Sequence, residues 1–418
     1  MANIEDSKLL SKRIHTEDNN FLDGRKCFQL DRDRIIHSRA FRRLMHKTQI
    51  FNANKGDHYR NRLTHTIEVS QIARTIARLL SANEDLVEAI ALGHDLGHTP
   101  FGHIGERTIR ELLDKETVQD RTSEFKLGFK HNFQSVHIVA NIEERCDEYK
   151  GLNLTTATKE GILKHTSINH HDYSDVLSKE TLFLDKNNSI TIEGQIVAIA
   201  DEIAQVTHDI EDGIRSNIID FNDFIKLELV AKYAKTKHFF KGECTECKRF
   251  EVSYNNKNRI IKGLVGCFIN DVHQNSNKLI SEYHKNHTEP DFMTESNIYH
   301  EKCVCFSDEY TNGIEEISKF RNSAILSSQE ISQSDSKSEF FIKQIFNAYK
   351  AHPMQLPDYI LKRFTGFEKR PQNQQELGNF SRNKLYRCIA DHIAGMTDQF
   401  ACREYIRLYM PDAQLIGG

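Results

Sequence analysis

The stretch "ALGHDLGHTPFGHIGE", Ala91 to Glu106, holds three histidines, an aspartate, a glutamate and four glycines, and no Lys or Arg. It continues "ANEDLVEAI" (Ala82–Ile90), where apolar residues recur at helical spacing behind acidic residues in the first turn. A helix is therefore expected to run into the segment and to end near His94 and Asp95. Neighbouring helical side chains point about 100° apart. Two neighbours can reach one ion between helices, but they cannot complete its coordination. Other helices must supply the remaining ligands.

Two further segments offer them. In "THTIEVSQIARTIARLL" (Thr64–Leu80), Val69, Ile72, Ala73, Ile76, Ala77 and Leu80 repeat at three and four, the mark of an amphipathic helix that His65 opens. In "TIEGQIVAIADEIAQVTHDIEDGI" (Thr191–Ile214), Asp201 interrupts an apolar run. An ionised carboxylate there is costly unless paired or metal-bound. His65, His94, Asp95 and Asp201 together suit one borderline-to-hard divalent ion: Mn, Mg, Fe, Zn or Co. Taken singly, each histidine reads as an ordinary capping or core residue; the buried acid beside the His-Asp pair favours the metal.

Downstream, "TPFGHIGE" reads as a new helix start, with Thr99 as N-cap and Pro100 in the first turn. His103 and Glu106 then share a face. A carboxylate beside an imidazole fixes its tautomer and raises its basicity, which suits acid–base work near neutral pH. The glycines at 93, 97, 102 and 105 permit close approach of helices or of substrate, and simple helix packing explains them equally well.

The chain has 418 residues, 28% of them charged, with a formal net charge of −4. That balance argues against a dedicated nucleic-acid coat or a membrane-surface protein. Six prolines and no tryptophan point to long helices. No apolar run is long enough to span a membrane, and the polar start lacks a secretory signal's apolar core. Nine scattered cysteines fit reduced thiols in a cytoplasmic protein.

We expect an all-α fold: N-terminal helices and core over 1–240, an insertion or subdomain over 241–305, and a C-terminal helical region over 306–418. "KRFEVSY" (Lys248–Tyr254) is the best strand candidate, and "SSQEISQSDSKSE" (Ser327–Glu339) fits a loop or a helix surface. Cys244 and Cys247 with Cys303 and Cys305 offer a candidate zinc site at an unusual spacing, with free thiols the alternative. The basic stretch "HSRAFRRLMHK" (His37–Lys47) reads as a phosphate contact or a solvated helix face.

The pattern H…HD…D resembles that of the HD-domain metal phosphohydrolases. Its flanks, "RDRIIHSRAFRRLMHKTQIF", "GDHYRNRLTHTIEVSQIARTIA", "EAIALGHDLGHTPFGHIGE", "HNFQSVHIV", "EGILKHT" and "DHIAGMTDQFA", resemble the deoxyguanosinetriphosphate triphosphohydrolases, enzymes acting on dNTPs. The resemblance implies an HD helical core and cleavage between the 5′-oxygen and the α-phosphorus, releasing triphosphate. It makes Arg62 a triphosphate anchor and puts His98 and His131 near the triphosphate or leaving oxygen, so that His103 and His131 both stand as candidate general acids. Lys164 and His165 would add positive charge. Gln49 and Asp209 would contact the 3′-hydroxyl, and Gln205 stands where the family often has a sugar-packing Tyr. It also implies a homo-oligomer, tetramer or hexamer, with a dNTP effector and single-stranded nucleic acid as further candidate partners. Two rival readings are another HD nucleotide phosphohydrolase and a catalytically silent nucleotide-sensing scaffold.

Overall fold

The computed structural model describes residues 4–17, 24–50, 59–119, 128–168, 188–236, 254–287, 297–366, 370–371, 374–377 and 381–410. The described residues are helical and form no strand; two isolated bridges, Thr48 with Asn61 and Glu144 with Gly151, are the only extended pairings among them. The main helices are α1 (Cys27–Ile36), α2 (Arg39–Arg43), α3 (Arg62–Leu80), α4 (Glu84–Gly93), α5 (Gly102–Gln119), α6 (His131–His137), α7 (Thr156–Lys164) and α8 (Ile192–Arg215). They are followed by α9 (Glu228–Thr236), α10 (Tyr254–Asn286), α11 (Asp308–Arg321), α12 (Gln329–Ala351), α13 (Asp358–Thr365), α14 (Arg382–Ala394) and α15 (Asp398–Tyr409).

The helices that carry the site begin where their sequences place caps. Asn61 accepts from Thr64 N at 2.9 Å and opens α3, Asn83 accepts from Leu86 N at 2.9 Å and opens α4, and Thr191 accepts from Gly194 N at 3.1 Å and opens α8. Their apolar stripes meet: Val69, Ile72 and Ile76 of α3, Val87 and Ile90 of α4, and Ile196, Ile199 and Ile203 of α8 are all buried in one core. Helices α10 and α11 contribute Ile260, Leu264, Phe268, Ile314 and Ile317 to that same core. A second core gathers Ile109, Leu112 and Leu113 of α5 with Ile345 and Phe346 of α12, Leu361 and Phe364 of α13, Ile389 and Ile393 of α14, and Ala401 of α15. Helix α5 therefore starts at the His/Asp segment and runs into the second core.

Three local expectations meet the structure here. "SSQEISQSDSKSE" is helical: Ser328 caps α12 by accepting from Ile331 N at 3.4 Å. The start of α5 comes later than expected. Thr99 Oγ1 donates to the Gly102 carbonyl at 3.0 Å instead of accepting as a cap, and the helix opens at Gly102 after Phe101 takes φ +64°. "KRFEVSY", save its last residue, lies outside the described residues, as do Cys244 and Cys247. Cys303 and Cys305 are free thiols, and burial pushes the Cys303 thiol up to about 11. Among the described residues, no helix is long and apolar enough to cross a membrane.

Candidate metal centre

His94 and Asp95 lie in the turn just after α4, His65 is in the first turn of α3, and Asp201 lies in the middle of α8. His65, His94 and Asp95 each offer a ligand atom within 4.8 Å of the others. Asp201 Oδ1 stands 3.0 Å from His65 Nε2 and 3.7 Å from His94 Nε2, and Asp95 Oδ1 stands 3.5 Å from His94 Nε2. Atoms bound at about 2.1 Å to one ion lie roughly 3.0–3.5 Å apart at 90–110°. His65, His94 and Asp95 thus form one cluster, and Asp201 adjoins it through His65 and His94.

Their hydrogen bonds prepare them for it. His94 Nδ1 donates to the Ala91 carbonyl at 2.6 Å, which leaves the lone pair on Nε2. That Nε2 is buried without a partner. Despite burial, which works the other way, His94, His98 and Arg62 hold the Asp95 carboxyl well below the usual carboxylate range. Asp201 behaves alike: burial opposes ionisation, and His65 and His94 prevail. Its side chain is 21% exposed, less enclosed than its apolar sequence context suggested. These residues fit a divalent ion.

The turn that carries His94 and Asp95 is clamped from behind. Ser135 Oγ of α6 donates to the His94 carbonyl at 2.7 Å and accepts from Gly97 N at 2.8 Å. A Cβ on Gly97 would lie 2.1 Å from the His131 carbonyl, so only glycine permits this approach.

A second set of imidazoles adjoins the first. His98 Nε2 is 3.0 Å from Asp95 Oδ1, and its ring stacks on His131 at 4.0 Å. Burial, with Arg62 and His131, keeps His98 well below the usual imidazole range and therefore neutral. Glu106 Oε2 accepts from His131 Nδ1 at 2.9 Å and stands 3.8 Å from His103 Nδ1. The sequence paired Glu106 with His103 alone; the structure puts His131 closer. His131 Nε2 faces His165 Nε2 at 3.2 Å, while His165 Nδ1 donates to the Ile162 carbonyl at 2.7 Å. Burial, helped by His94 and His131, pushes His165 down to about 3, so its Nε2 is an acceptor. His103, by contrast, is 61% exposed at the rim.

Arg62 is 1% exposed. Its Nη1 donates to Asp95 Oδ2 at 2.8 Å, whereas Nε and Nη2 are buried without a partner. Nearby, the Gln49 carbonyl would lie 3.3 Å from a Cβ on Gly102, and Gln49 Oε1 too is buried and unpartnered.

The HD domain family profile matches residues 62–205, and a phosphohydrolase-associated domain matches residues 304–407. Proteins named deoxyguanosinetriphosphate triphosphohydrolase-like are similar along almost the whole chain. That of Nitrosomonas europaea is 35% identical over 97% of this chain and 96% of its own. Those of Rickettsia bellii and Rickettsia typhi are 36% identical over 92% of both chains, and 37% identical over 93% of this chain and 92% of the relative. The chain belongs to the deoxyguanosinetriphosphate triphosphohydrolase-like family.

Within this family member, two expected contacts turn out differently placed. Lys164 does not reach the site: its ammonium is buried against Glu160 at 2.9 Å, both side chains fully enclosed. One residue further round the helix end, His165 takes the site-facing position. Asp209 lies two turns beyond Asp201 on α8, but Arg321 Nη1 of α11 already donates to its Oδ2 at 3.1 Å. Half-buried Gln205 lies one turn after Asp201.

Burial pushes the Asp209 carboxyl up to about 7 against the pull of Arg321. A folded-state value raised above the unfolded one contributes stability that is complete below about 3.9 and is lost as pH rises to about 7. The stability difference between the wild type and Asp209→Asn, measured by chemical denaturation, is therefore expected to shift against the wild type between pH 4 and 7 and to level off above. A difference independent of pH would contradict the burial argument.

Two residues that the sequence reading missed tie the site to the C-terminal helices. Asp398, at the start of α15, accepts from Thr48 N and Phe101 N, each at 2.8 Å, and from Thr48 Oγ1. Lys47 is 2% exposed, and its ammonium donates to the carbonyls of His98 and, at 2.9 Å, Ala394. The clamp fixes the neighbours of Gln49 and holds Phe101 in its left-handed conformation. Asp398→Ala strands these donors and is expected to cost about 3 kcal/mol. A denaturation midpoint equal to that of the wild type would refute the clamp.

Proposed function

We propose that the protein hydrolyses deoxynucleoside triphosphates to deoxynucleoside and inorganic triphosphate, with one divalent ion per chain held by His65, His94, Asp95 and Asp201. One observation carries the reading. Gln49 Oε1, Arg62 Nε and Nη2, His94 Nε2 and His98 Nδ1 are all buried polar atoms without partners. Each such atom costs about 1–3 kcal/mol. His94, His98 and Arg62 all converge on Asp95, so the orphans gather at one place and argue for a polar ligand there.

A divalent ion bound at the four ligands would supply positive charge and Lewis acidity beside the α-phosphate. The remaining work falls to the chain. Arg62 presents two unpaired N–H groups on one planar guanidinium, which suits phosphate oxygens bidentately. His131, held between Glu106 and His165, offers a fixed imidazole at the phosphate. Glu106 orients both His131 and His103. The exposed His103 is positioned at the rim to hand a proton to the departing 5′-oxygen, with His131 the alternative donor. Gln49 Oε1 accepts the 3′-hydroxyl proton.

The homo-oligomeric assembly and dNTP effector implied by the resemblance, and the cytoplasmic location expected from the cysteine usage, belong to the same reading. Chromatography of the products from each dNTP with Mn²⁺ or Mg²⁺ tests it. Inorganic triphosphate with free deoxynucleoside is expected. Orthophosphate would favour a different HD phosphohydrolase, and no metal-dependent turnover with any dNTP, alone or in mixtures, would leave the sensing scaffold.

A further inference from the structure

A second cavity, of about 350 Å³, shares no residue with the metal centre. Arg39 and Arg43 of α2, Arg363 of α13 and His392 of α14 line it together. His392 is 6% exposed, and its Nε2 has no partner; neither has the buried Nε of Arg43. Two rings also line the cavity and remain open to solvent, Tyr359 at 59% and Phe400 at 42%.

The acids nearby leave this positive charge only partly answered. Glu143 spends its carboxylate on the N–H groups of Arg39 at 3.2 Å and Ala40 at 2.9 Å, at the start of α2, and stands 3.8 and 3.7 Å from the Arg39 and Arg43 guanidinia. Glu144 lies 3.9 Å from Arg39 and is 60% exposed. Asp391 is taken by Gln134, His137 and Arg387. Arg363 Nη2 donates to the Ile142 carbonyl at 3.3 Å. The cations also feel one another. Burial lowers the Arg43 guanidinium, Arg39 and Arg363 adding to the effect and Glu143 opposing it. Burial, against the pull of Glu404 and with Arg407, Arg363 and Arg43 in support, pushes His392 down to about 4.

We propose that this cavity is a second ligand site, taking a phosphate-class oxyanion between Arg39, Arg43, Arg363 and His392. Guanidinia suit the tetrahedral oxygens, and the neutral His392 supplies a short-range hydrogen bond in the floor. The anion is a free phosphate or polyphosphate, or the phosphate of a nucleotide whose base lies against Tyr359 and Phe400. Its floor includes Gly395, Met396 and Thr397, directly before the Asp398 clamp. The proposal does not depend on the catalytic reading.

Calorimetric titration of the full chain with inorganic triphosphate, in metal-free buffer, tests it. Two binding events per chain are expected in the wild type. Arg39→Gln, at an exposed position, combined with Arg363→Gln, at a half-buried one, should lose one event or weaken it about tenfold or more, while the fold and the other event persist. Arg62→Ala should lose the other. Unchanged stoichiometry and affinity in the Arg39/Arg363 variant overturn the site, even if Arg62→Ala fails to fold. Titrating inorganic phosphate against deoxyguanosine monophosphate separates the two sources. A tenfold advantage for the nucleotide that vanishes in Tyr359→Ala assigns a nucleotide phosphate; equal affinities assign the free anion.

Discussion

Asp95→Ala is expected to abolish metal binding and dNTP turnover together. Asp95 Oδ1 faces His94 Nε2 at 3.5 Å and His98 Nε2 at 3.0 Å, and its Oδ2 accepts from Arg62 at 2.8 Å. The substitution therefore removes a ligand and leaves the enclosed Arg62 without its counter-charge. Loss of the ion alone forfeits several kcal/mol of transition-state stabilisation. That corresponds to a fall of about 10³-fold or more. Metal content by mass spectrometry and turnover should fall in parallel, with circular dichroism confirming retained helices. Full activity with the metal still bound would refute the ligand assignment.

Glu106→Gln should have the next largest effect, of another kind. Glu106 orients His131 at 2.9 Å and faces His103 at 3.8 Å, and the neighbours of this carboxylate hold it well ionised although burial opposes this. A neutral amide removes the charge that orients the His131 ring and loosens His103. Proton transfer by a positioned side chain typically contributes about 10²–10⁴-fold, so a kcat loss in that range is expected with metal content unchanged. Comparison of His103→Ala with His131→Ala then assigns the donor to the leaving oxygen. A Glu106→Gln enzyme with wild-type kcat would remove the couple from the chemistry.

The proposed metal quartet could be named from sequence because each of its residues sits on, or just after, a helix with strong apolar periodicity. Asp201 also announced itself as an acid within the run "IVAIADEIA". Contacts between distant segments were not readable. Asp398 acts on backbone groups of Thr48 and Phe101, which leave no mark in its own neighbourhood. The nearer partnership of Glu106 with His131 depends on how α5 and α6 cross, and the i, i+3 spacing drew attention to His103 instead. Lys164 and His165 are one residue apart, so about 100° of rotation separates the core from the site, and periodicity near a helix end does not fix that phase. Thr99 illustrates the same limit: its hydroxyl suits a cap, yet it donates to the Gly102 carbonyl and delays the helix.

The most direct measurement is anomalous diffraction from crystals grown with Mn²⁺ and a non-hydrolysable dNTP. The account predicts one anomalous peak within about 2.3 Å of His65 Nε2, His94 Nε2 and an oxygen each of Asp95 and Asp201, with the triphosphate on Arg62. A peak elsewhere, or Asp201 turned away from an ion that the others hold, would contradict it.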